Sequence, residues 1–393
     1  MPENPAVPPP AEPGLRRILS LDGGGIRGIF SLQILARIEE LLRESRGRPH
    51  LVLADEFHFI AGTSTGAIIA AMLSWGMSVG EIEHFYLRQS QAMFTKAGWR
   101  ERWKAKYSPE KITAFLKECF SETNDRGETV EAQLGTSKLR TLLLLVMRNA
   151  TTGSAWPVSN NPRAKYNDPS LPNCNLKVSL AALVRASAAA PTYFPPEQIP
   201  VGTDNFIFVD GGITPYNNPA LIAALMATLP AFNLNWSQGA ERLRVVSIGT
   251  GSNRTMFAKK LAGDVNLADA IMHVIPALIH SVALEQDLLC RVLGKWVGDP
   301  ENAEKWDGKK TVVTRNDWVP IIDGEIGGLT TAAEGALAEK ERLFGYVRYD
   351  RPLPPESGSN VIALDDLRLI PWLRKVGREY ARKAVKLEHL GGE

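Results

Sequence analysis

A serine between two glycines is the residue of this sequence best placed to act as a nucleophile. Ser64 is the centre of the segment GTSTG, in which Gly62 and Gly66 complete a G-x-S-x-G pattern. The pattern follows an apolar run and precedes a helical pattern of small residues, which is the strand–turn–helix context of a nucleophile elbow. The serine and its two threonine neighbours could also simply cap the helix. The context favours the catalytic interpretation, in which the serine hydroxyl attacks a carbonyl carbon.

A serine nucleophile needs a general base, and here an aspartate is a better candidate than a histidine. Asp210 ends the apolar run FIFVD, and Gly211 and Gly212 after it let the chain turn away sharply. We therefore expect Asp210 to be desolvated and to lie at the same edge of the sheet as the serine. An aspartate before glycine is also a common turn residue. His273 and His280 lie in a mostly apolar helical pattern, which is more typical of core or interface positions.

The segment DGGGIRG, residues 22–28, places a glycine turn between an apolar run and a helical pattern. Gly23, Gly25 and Gly28 match the G-x-G-x-x-G pattern of dinucleotide-binding folds, although a lone match is weak evidence. Asp22 stands where a pyrophosphate would lie, and the acidic residue expected about twenty positions later to hold a ribose is missing. Because N–H groups at a helix N-terminus stabilise anions, a transient oxyanion is the alternative ligand. A tight turn without any ligand is the third interpretation.

Alternating apolar runs and helical patterns predict an α/β fold with a largely parallel central sheet. Ligands of such sheets lie at the carboxyl ends of the strands, which is where the three glycine motifs fall. The predicted strands cover residues 16–21, 56–62, 139–147, 205–210 and 243–249. The predicted helices cover the segment between the glycine turn and Gly47, residues 66–76, 180–190 and 269–294, and a basic amphipathic segment with Trp372, Val376 and Tyr380 on one face.

These patterns divide the chain into three regions. Residues 1–14 contain six prolines and predict a flexible tail, and residues 15–350 predict one large domain. Residues 351–393 predict a linker followed by the basic helix, which we expect to pack on that domain.

The overall composition, 44% hydrophobic and 22% charged residues with a net charge of +2, is that of a soluble globular protein. A charge so close to zero gives no reason to expect a nucleic-acid partner. Three widely spaced cysteines argue against a disulfide framework or a zinc site and indicate a reducing compartment. No signal peptide is predicted, and the aliphatic run LLLLVM is too short to span a bilayer, so any membrane contact must be peripheral.

The three motifs DGGGIRG, GTSTG and DGG, in this order, resemble those of the patatin-like phospholipases. The resemblance covers about residues 16–255 and includes the segments LVRASAAAPTYFPP and VVSIGTG. It implies a three-layer α/β/α fold in which Ser64 and Asp210 form a catalytic dyad. The segment DGGITPYNNP implies that Asn217 and Asn218 brace the turn after the aspartate. The residues that correspond to the family's oxyanion-hole motif are Gly23, Gly24, Gly25 and Arg27.

The resemblance implies a lipid acyl hydrolase of the phospholipase A type, which cleaves carboxylic esters of membrane phospholipids through an acyl-enzyme without metal or cofactor. Its substrate would be a membrane surface, and its location cytoplasmic, peripheral to the inner face of the membrane. Beyond residue 255 the resemblance thins towards bacterial stand-alone members, some of them nucleotide-activated effectors in phage defence. A cyclic nucleotide activator and a homodimer therefore stay open as hypotheses.

Two further functions compete with this one. A nucleotide-binding oxidoreductase would rest on the glycine turn alone, and the missing ribose-binding acid weighs against it. A catalytically silent storage or binding protein would keep the fold without the chemistry, and the presence of both Ser64 and Asp210 weighs against that.

The segment FTKAGWRERWKAKY, residues 94–107, combines five basic residues with interleaved aromatic ones. Trp99 and Trp103 are four positions apart, so a helix would place both on one face. Such a segment is suited to the headgroup region of an anionic membrane and equally to the phosphates and bases of a nucleotide. A solvated basic helix with tryptophans in the core is the simpler alternative.

Overall fold

The computed structural model describes residues 14–93, 109–191, 193–251, 267–299, 341–351, 353 and 365–391. The basic aromatic segment 94–107 and nearly all of the predicted tail lie outside these residues, as does most of the predicted linker 351–360.

The described strands form one large mixed sheet and a small separate pair. The bounds of the strands are β1 Arg16–Leu21, β2 Phe59–Thr63, β3 Ser121–Thr123, β4 Thr129–Glu131, β5 Leu142–Asn149, β6 Ser154–Ser159, β7 Glu197–Val201, β8 Asp204–Asp210, β9 Gly239–Ile248, β10 Lys295–Trp296 and β11 Phe344–Tyr349. In the large sheet the order β10-β11-β9-β1-β2-β5 is parallel throughout, whereas β6, β7 and β8 run antiparallel to their neighbours. β3 and β4 form the separate antiparallel pair.

Helices cover both faces of the sheet. Their bounds are α1 Gly28–Arg46, α2 Thr65–Ser74, α3 Val79–Met93, α4 Glu110–Cys119, α5 Leu180–Ser187, α6 Ala220–Thr228, α7 Leu267–Leu293 and α8 Ile370–Ala384. One buried cluster joins α1–α5 and α8 to one face of the sheet, and a second joins α6 and α7 to the other. The fold is therefore the predicted three-layer α/β/α arrangement.

The continuous aliphatic run in β5 follows from burial on both faces of the sheet. Leu143 and Leu145 belong to the first cluster, whereas Leu142, Leu144 and Val146 belong to the second. Because successive side chains of a strand point to opposite faces, a strand covered by helices on both sides must be apolar at every position.

The neighbours of β5 bring two distant parts of the chain to one point. β2 pairs with Leu142–Val146, and β8 pairs with the next residues, Met147–Asn149. Since β6 occupies the other edge of β5 along both stretches, β8 continues on the edge that β2 leaves. Thr63 lies opposite Val146, and Asp210 lies opposite Met147.

The predicted strands and helices each have a counterpart, with ends that differ by a few residues. Gly47 ends α1 with a left-handed φ of 59°, which glycine adopts without strain. The helix α8 packs on α1, where the ring of Tyr380 stacks on Phe30 with centroids 5.7 Å apart. None of the helices in the described part of the chain is long and apolar enough to cross a membrane.

Candidate active site

Ser64 occupies a strained turn between β2 and α2. Its φ of 55° and ψ of −124° are rare for a residue with a side chain. The Ser64 N–H donates a 3.0 Å hydrogen bond to the hydroxyl of Ser187, which in turn donates to the carbonyl of Val146 on β5. These contacts hold the backbone of the elbow against the neighbouring strand, so that the serine side chain faces the cavity above the sheet.

The two glycines of the elbow are required by close backbone packing. A Cβ atom on Gly62 would lie 2.2 Å from the carbonyl oxygen of Gly66. A Cβ atom on Gly66 would lie 2.3 Å from the carbonyl oxygen of Leu21, at the end of β1. Helix α2 therefore crosses the strand ends at a distance that only glycine permits. The two glycines of the G-x-S-x-G pattern are required by this close crossing.

The structure brings Ser64 and Asp210 into direct contact. Ser64 Oγ donates to Asp210 Oδ2 over 2.6 Å, and Asp210 Oδ1 accepts a 2.6 Å bond from the N–H of Gly212. The Asp210 side chain is only 4% exposed. Burial raises the pKa of Asp210 to about 6, although the Ser64 hydroxyl, the Gly212 N–H and the buried Arg185 cation each oppose the rise. The carboxyl is thus a stronger base than an ordinary aspartate and is still mostly ionised at neutral pH.

The turn after the aspartate is packed as tightly as the elbow. A Cβ atom on Gly211 would lie 2.2 Å from the carbonyl oxygen of Val146. Asn217 accepts the N–H of Gly23 at its backbone oxygen over 3.2 Å. Asn218 accepts hydrogen bonds at Oδ1 from the Ser247 hydroxyl and the Ala220 N–H. The asparagine pair therefore ties the segment after Asp210 to the glycine turn and to β9.

Side chains hold the carbonyl groups of the glycine turn. The Arg27 guanidinium donates from Nε to Gly24 O over 3.3 Å and from Nη1 to Gly251 O over 2.7 Å. The Tyr86 hydroxyl donates to Gly25 O over 2.7 Å. Gly25 has a left-handed φ of 59°, which favours glycine at that position.

The N–H groups of the turn have different environments. The Gly23 N–H donates to Asn217 O, which leaves the predicted oxyanion role to the next two glycines. The N–H groups of Gly24 and Gly25 have no acceptor among the described residues, and both glycines line the same cavity as Ser64. A Cβ atom on Gly24 would lie 2.2 Å from Thr250 Oγ1, so a larger residue would displace this part of the turn.

The cavity above Ser64 and Asp210 is open to solvent and largely apolar. Its free volume is about 870 Å³, including the space at its mouth. None of the described residues that line it is a histidine. The larger aliphatic and aromatic side chains of its wall are those of Ile68, Tyr86, Ile112, Tyr193, Phe194, Ile213 and Ile279.

Three residues that support the site were not singled out from the sequence. Ser187 and Thr250 belong to the segments LVRASAAAPTYFPP and VVSIGTG, whose resemblance to the family was the available signal. Tyr86 lies on α3 in an ordinary amphipathic pattern, so nothing in its surroundings in the sequence indicates contact with the glycine turn.

A group of possible metal ligands combines Asp299 with two residues near the C-terminal end of the chain. Asp299, Glu388 and His389 place one ligand atom each within 4.8 Å of one another. The Lys386 ammonium group already pairs with Asp299 over 2.7 Å, which supplies the positive charge that a cation would bring. None of these residues lines the cavity above Ser64.

The sequence is similar to those of several patatins. Patatin-17 of Solanum cardiophyllum is 29% identical over 266 residues, which are 62% of this chain and 64% of that protein. Patatin-like protein 4 of Arabidopsis thaliana is 30% identical over 265 residues, which are 62% of this chain and 61% of that protein. The matched part thus spans less than two thirds of the length of these relatives.

Solved structures show more distant similarity. VipD from Legionella pneumophila gives a TM-score of 0.41 at 15% identity and covers 97% of this chain and 67% of its own. Human GIVD cytosolic phospholipase A2 gives a TM-score of 0.36 at 13% identity and covers 100% of this chain and 61% of its own. The sequence match is stronger, because the family model described as Patatin-like phospholipase spans residues 19–224, more than half of the 393 residues. This chain belongs to the patatin-like phospholipase family.

Proposed function

We propose that this protein hydrolyses carboxylic esters of lipids through a Ser64–Asp210 dyad. The observation that supports the proposal most directly is the 2.6 Å hydrogen bond from Ser64 Oγ to a buried carboxylate. Gly24 and Gly25, whose N–H groups have no acceptor in the described part of the chain, line the same cavity. A nucleophile, a base and an oxyanion site therefore converge, which is the minimum that acyl transfer requires.

In the first half-reaction, Ser64 Oγ attacks the ester carbonyl carbon while Asp210 Oδ2 accepts the serine proton. The carbonyl oxygen becomes an oxyanion that the Gly24 and Gly25 N–H groups stabilise, helped by the N-terminal end of α1. The tetrahedral intermediate collapses when the bond to the leaving oxygen breaks, and Asp210 returns the proton to the departing alcohol or lysolipid.

In the second half-reaction, water takes the place of the alcohol. Asp210 removes a proton from the water, whose oxygen attacks the carbonyl carbon of the acyl-Ser64 ester. Collapse of the second intermediate releases the fatty acid, and the proton on Asp210 returns to Ser64 Oγ. The charge on Asp210 stays buried and the Gly24 and Gly25 N–H groups stabilise the charge on the oxyanion, so the carboxylate can act without a histidine.

The apolar wall of the cavity supports a lipid acyl chain as the group next to the reacting carbonyl. Burial of each methylene of an acyl chain contributes about 0.8 kcal/mol, so a long chain binds such a wall far better than an acetyl group does. We propose membrane phospholipids as the substrate class, and therefore peripheral contact with a membrane surface.

A lipid-panel assay with mass-spectrometric identification of the products tests the proposed function. The wild type should release fatty acids and lysolipids, and a fluorophosphonate should label Ser64. Ser64→Ala should lower turnover by about 10³-fold or more, whereas Ser170→Ala, which changes an exposed serine on a loop, should have no effect. Labelling at another residue, or an active Ser64→Ala variant, would exclude the assignment.

A further inference from the structure

A buried arginine near the end of β11 links the carboxyl ends of three neighbouring strands. Arg348 pairs with both oxygens of Asp22, from Nη2 over 2.6 Å and from Nη1 over 3.3 Å. Nη1 also donates to the Ser247 hydroxyl on β9 over 2.7 Å, and Nη2 donates to Asp350 over 2.8 Å. Since β1, β9 and β11 are adjacent and parallel, their ends meet at the edge where the glycine turn begins.

Two series of contacts connect this arginine to the glycine turn. The first is covalent, because Asp22 directly precedes Gly23. In the second, Asp350 Oδ1 accepts the Gly251 N–H over 2.9 Å, and Gly251 O accepts the Arg27 guanidinium. Arg27 in turn holds Gly24 O. The turn is thus fixed at both sides through the two carboxylates that Arg348 binds.

The charges of this cluster balance only when Arg348 is present. Asp22 and Asp350 are 4% and 8% exposed, and burial raises the pKa of each carboxyl. The nearby Arg348 cation opposes the rise at both, and Arg27 opposes it at Asp350. Two buried carboxylates with a single cation would repel each other and draw in water or protons. Loss of Arg348 should therefore move the strand ends that carry the glycine turn.

We propose that Arg348 is a positioning residue for the oxyanion hole. It is not one of the described residues that line the cavity, but it sets the direction of the Gly24 and Gly25 N–H groups through Asp22, Asp350 and Arg27. The proposal rests on the proposed ester hydrolysis. It extends the machinery to a strand more than one hundred residues beyond the family match, which ends at residue 224.

The test compares kinetic constants on a soluble ester, with the active sites counted by fluorophosphonate titration. Arg348→Met should lower kcat per titrated site by about 10- to 100-fold, since a displacement of about 1 Å can cost that much. KM should change less than about threefold, because the oxyanion forms only in the transition state. Arg348→Lys keeps the charge but cannot bind two carboxylates as a planar fork, so it should recover only part of kcat.

The matched control is Arg342→Met. Arg342 is also buried and lies on the segment that leads into β11, but it donates to carbonyls at the end of α7. Arg348 lies six positions after Arg342, which corresponds to about 20 Å of extended chain. The control variant should therefore lose stability and keep its kcat per titrated site.

A double variant separates positioning from charge balance. Asp22→Asn with Arg348→Met removes one charge of each sign, so it should fold more stably than Arg348→Met alone. If positioning matters, its kcat stays low, because the bridge between the strand ends is still missing. Full recovery of kcat in the double variant, or unchanged kcat in Arg348→Met, would overturn the proposal. A wild type that hydrolyses no ester would instead contradict the proposed function itself.

Discussion

At the scale of a single residue, Asp210 is buried and yet accepts hydrogen bonds that stabilise its charged form. The Ser64 hydroxyl and the Gly212 N–H both donate to its carboxylate, which favours the charged form. Burial favours the neutral form more strongly and raises the pKa to about 6. The result is a carboxylate that competes for a serine proton better than an exposed aspartate does.

The pH dependence of turnover should follow this carboxyl. Since only ionised Asp210 accepts the serine proton, kcat/KM for a soluble ester should rise with pH through about 6 and stay constant at higher pH. The measurement is a rate profile from acid to weakly alkaline pH on a neutral substrate. A rate that falls as pH rises through this range would contradict the assignment of Asp210 as base.

A histidine base would give a similar midpoint, so histidine variants are needed beside the profile. His273→Ala and His280→Ala should keep most of the activity and the same profile as the wild type, provided that both fold. If either variant is as inactive as Ser64→Ala, the enzyme uses a triad, and the dyad mechanism is wrong.

The same pKa predicts an effect on stability. Because the pKa of Asp210 rises from an ordinary 3.8 to about 6 on folding, the folded protein loses stability as pH rises through this interval. Above it, the loss amounts to about 3 kcal/mol. Asp210→Asn should therefore be inactive but more stable than the wild type at pH 8, with the difference shrinking towards pH 4. Urea unfolding of both proteins at the two pH values measures this, and equal differences would exclude the effect.

At the scale of elements, the elbow could be predicted from the sequence because its chemistry is local. A strained serine between a strand and a helix needs small neighbours, and Gly62 and Gly66 in the sequence are therefore a direct sign of this turn. The sequence predicted that Asp210 lies near Ser64, but the strand direction behind this prediction differs from the observed one. We expected two parallel strand ends side by side, whereas β8 runs antiparallel and reaches Ser64 along the edge of β5.

The direction of β8 depends on a hairpin that the strand pattern alone does not reveal. β7 and β8 pair from Val201 and Asp204 outwards, so Gly202 and Thr203 form a two-residue turn. Gly202 has a φ of 65°, and a glycine in such a turn is a recognised hairpin signal. The position of β11 could not be predicted from the sequence, because its place between β9 and β10 depends on packing across the whole sheet.

The close crossing of α2 over β1 gives a prediction at this scale. Gly66→Ala places a Cβ atom 2.3 Å from the Leu21 carbonyl oxygen, so helix and strand must separate. Overpacking of this kind typically costs about 1–3 kcal/mol, and turnover should fall with it because Ser64 lies in the same turn. Gly80→Ala is the matched control, since nothing lies within 4 Å of its Cβ position in α3 and alanine favours helix. Denaturant unfolding should show destabilisation in the first variant and none in the second.

At the scale of the whole molecule, the proposed hydrolysis of membrane lipids would need a surface that brings the protein to the lipid. The segment 94–107 carries Arg100, Arg102 and Lys104 among aromatic residues, a composition suited to anionic headgroups. We expect the triple reversal of these three residues to Glu to weaken hydrolysis of anionic vesicles, because about 1 kcal/mol of attraction per basic residue becomes repulsion. Hydrolysis of a short soluble ester should not change, since the dyad and the glycine turn are untouched.

A second triple reversal controls for net charge. Arg163, Lys165 and Lys177 are exposed on the segment that leads to α5, and their reversal to Glu changes the charge of the protein by the same amount. If this variant loses vesicle activity equally, the effect is general electrostatics, and the segment 94–107 has no special role.

Equal vesicle activity in the first variant, the triple reversal within residues 94–107, and in the wild type would assign that segment to an ordinary solvated surface. If the first variant loses activity on both substrates and a raised concentration of a cyclic nucleotide restores it, the segment binds an activator instead. The two assays therefore distinguish membrane contact, activator binding and net charge as separate outcomes, because only membrane contact leaves the soluble ester unaffected while depending on where the charges lie.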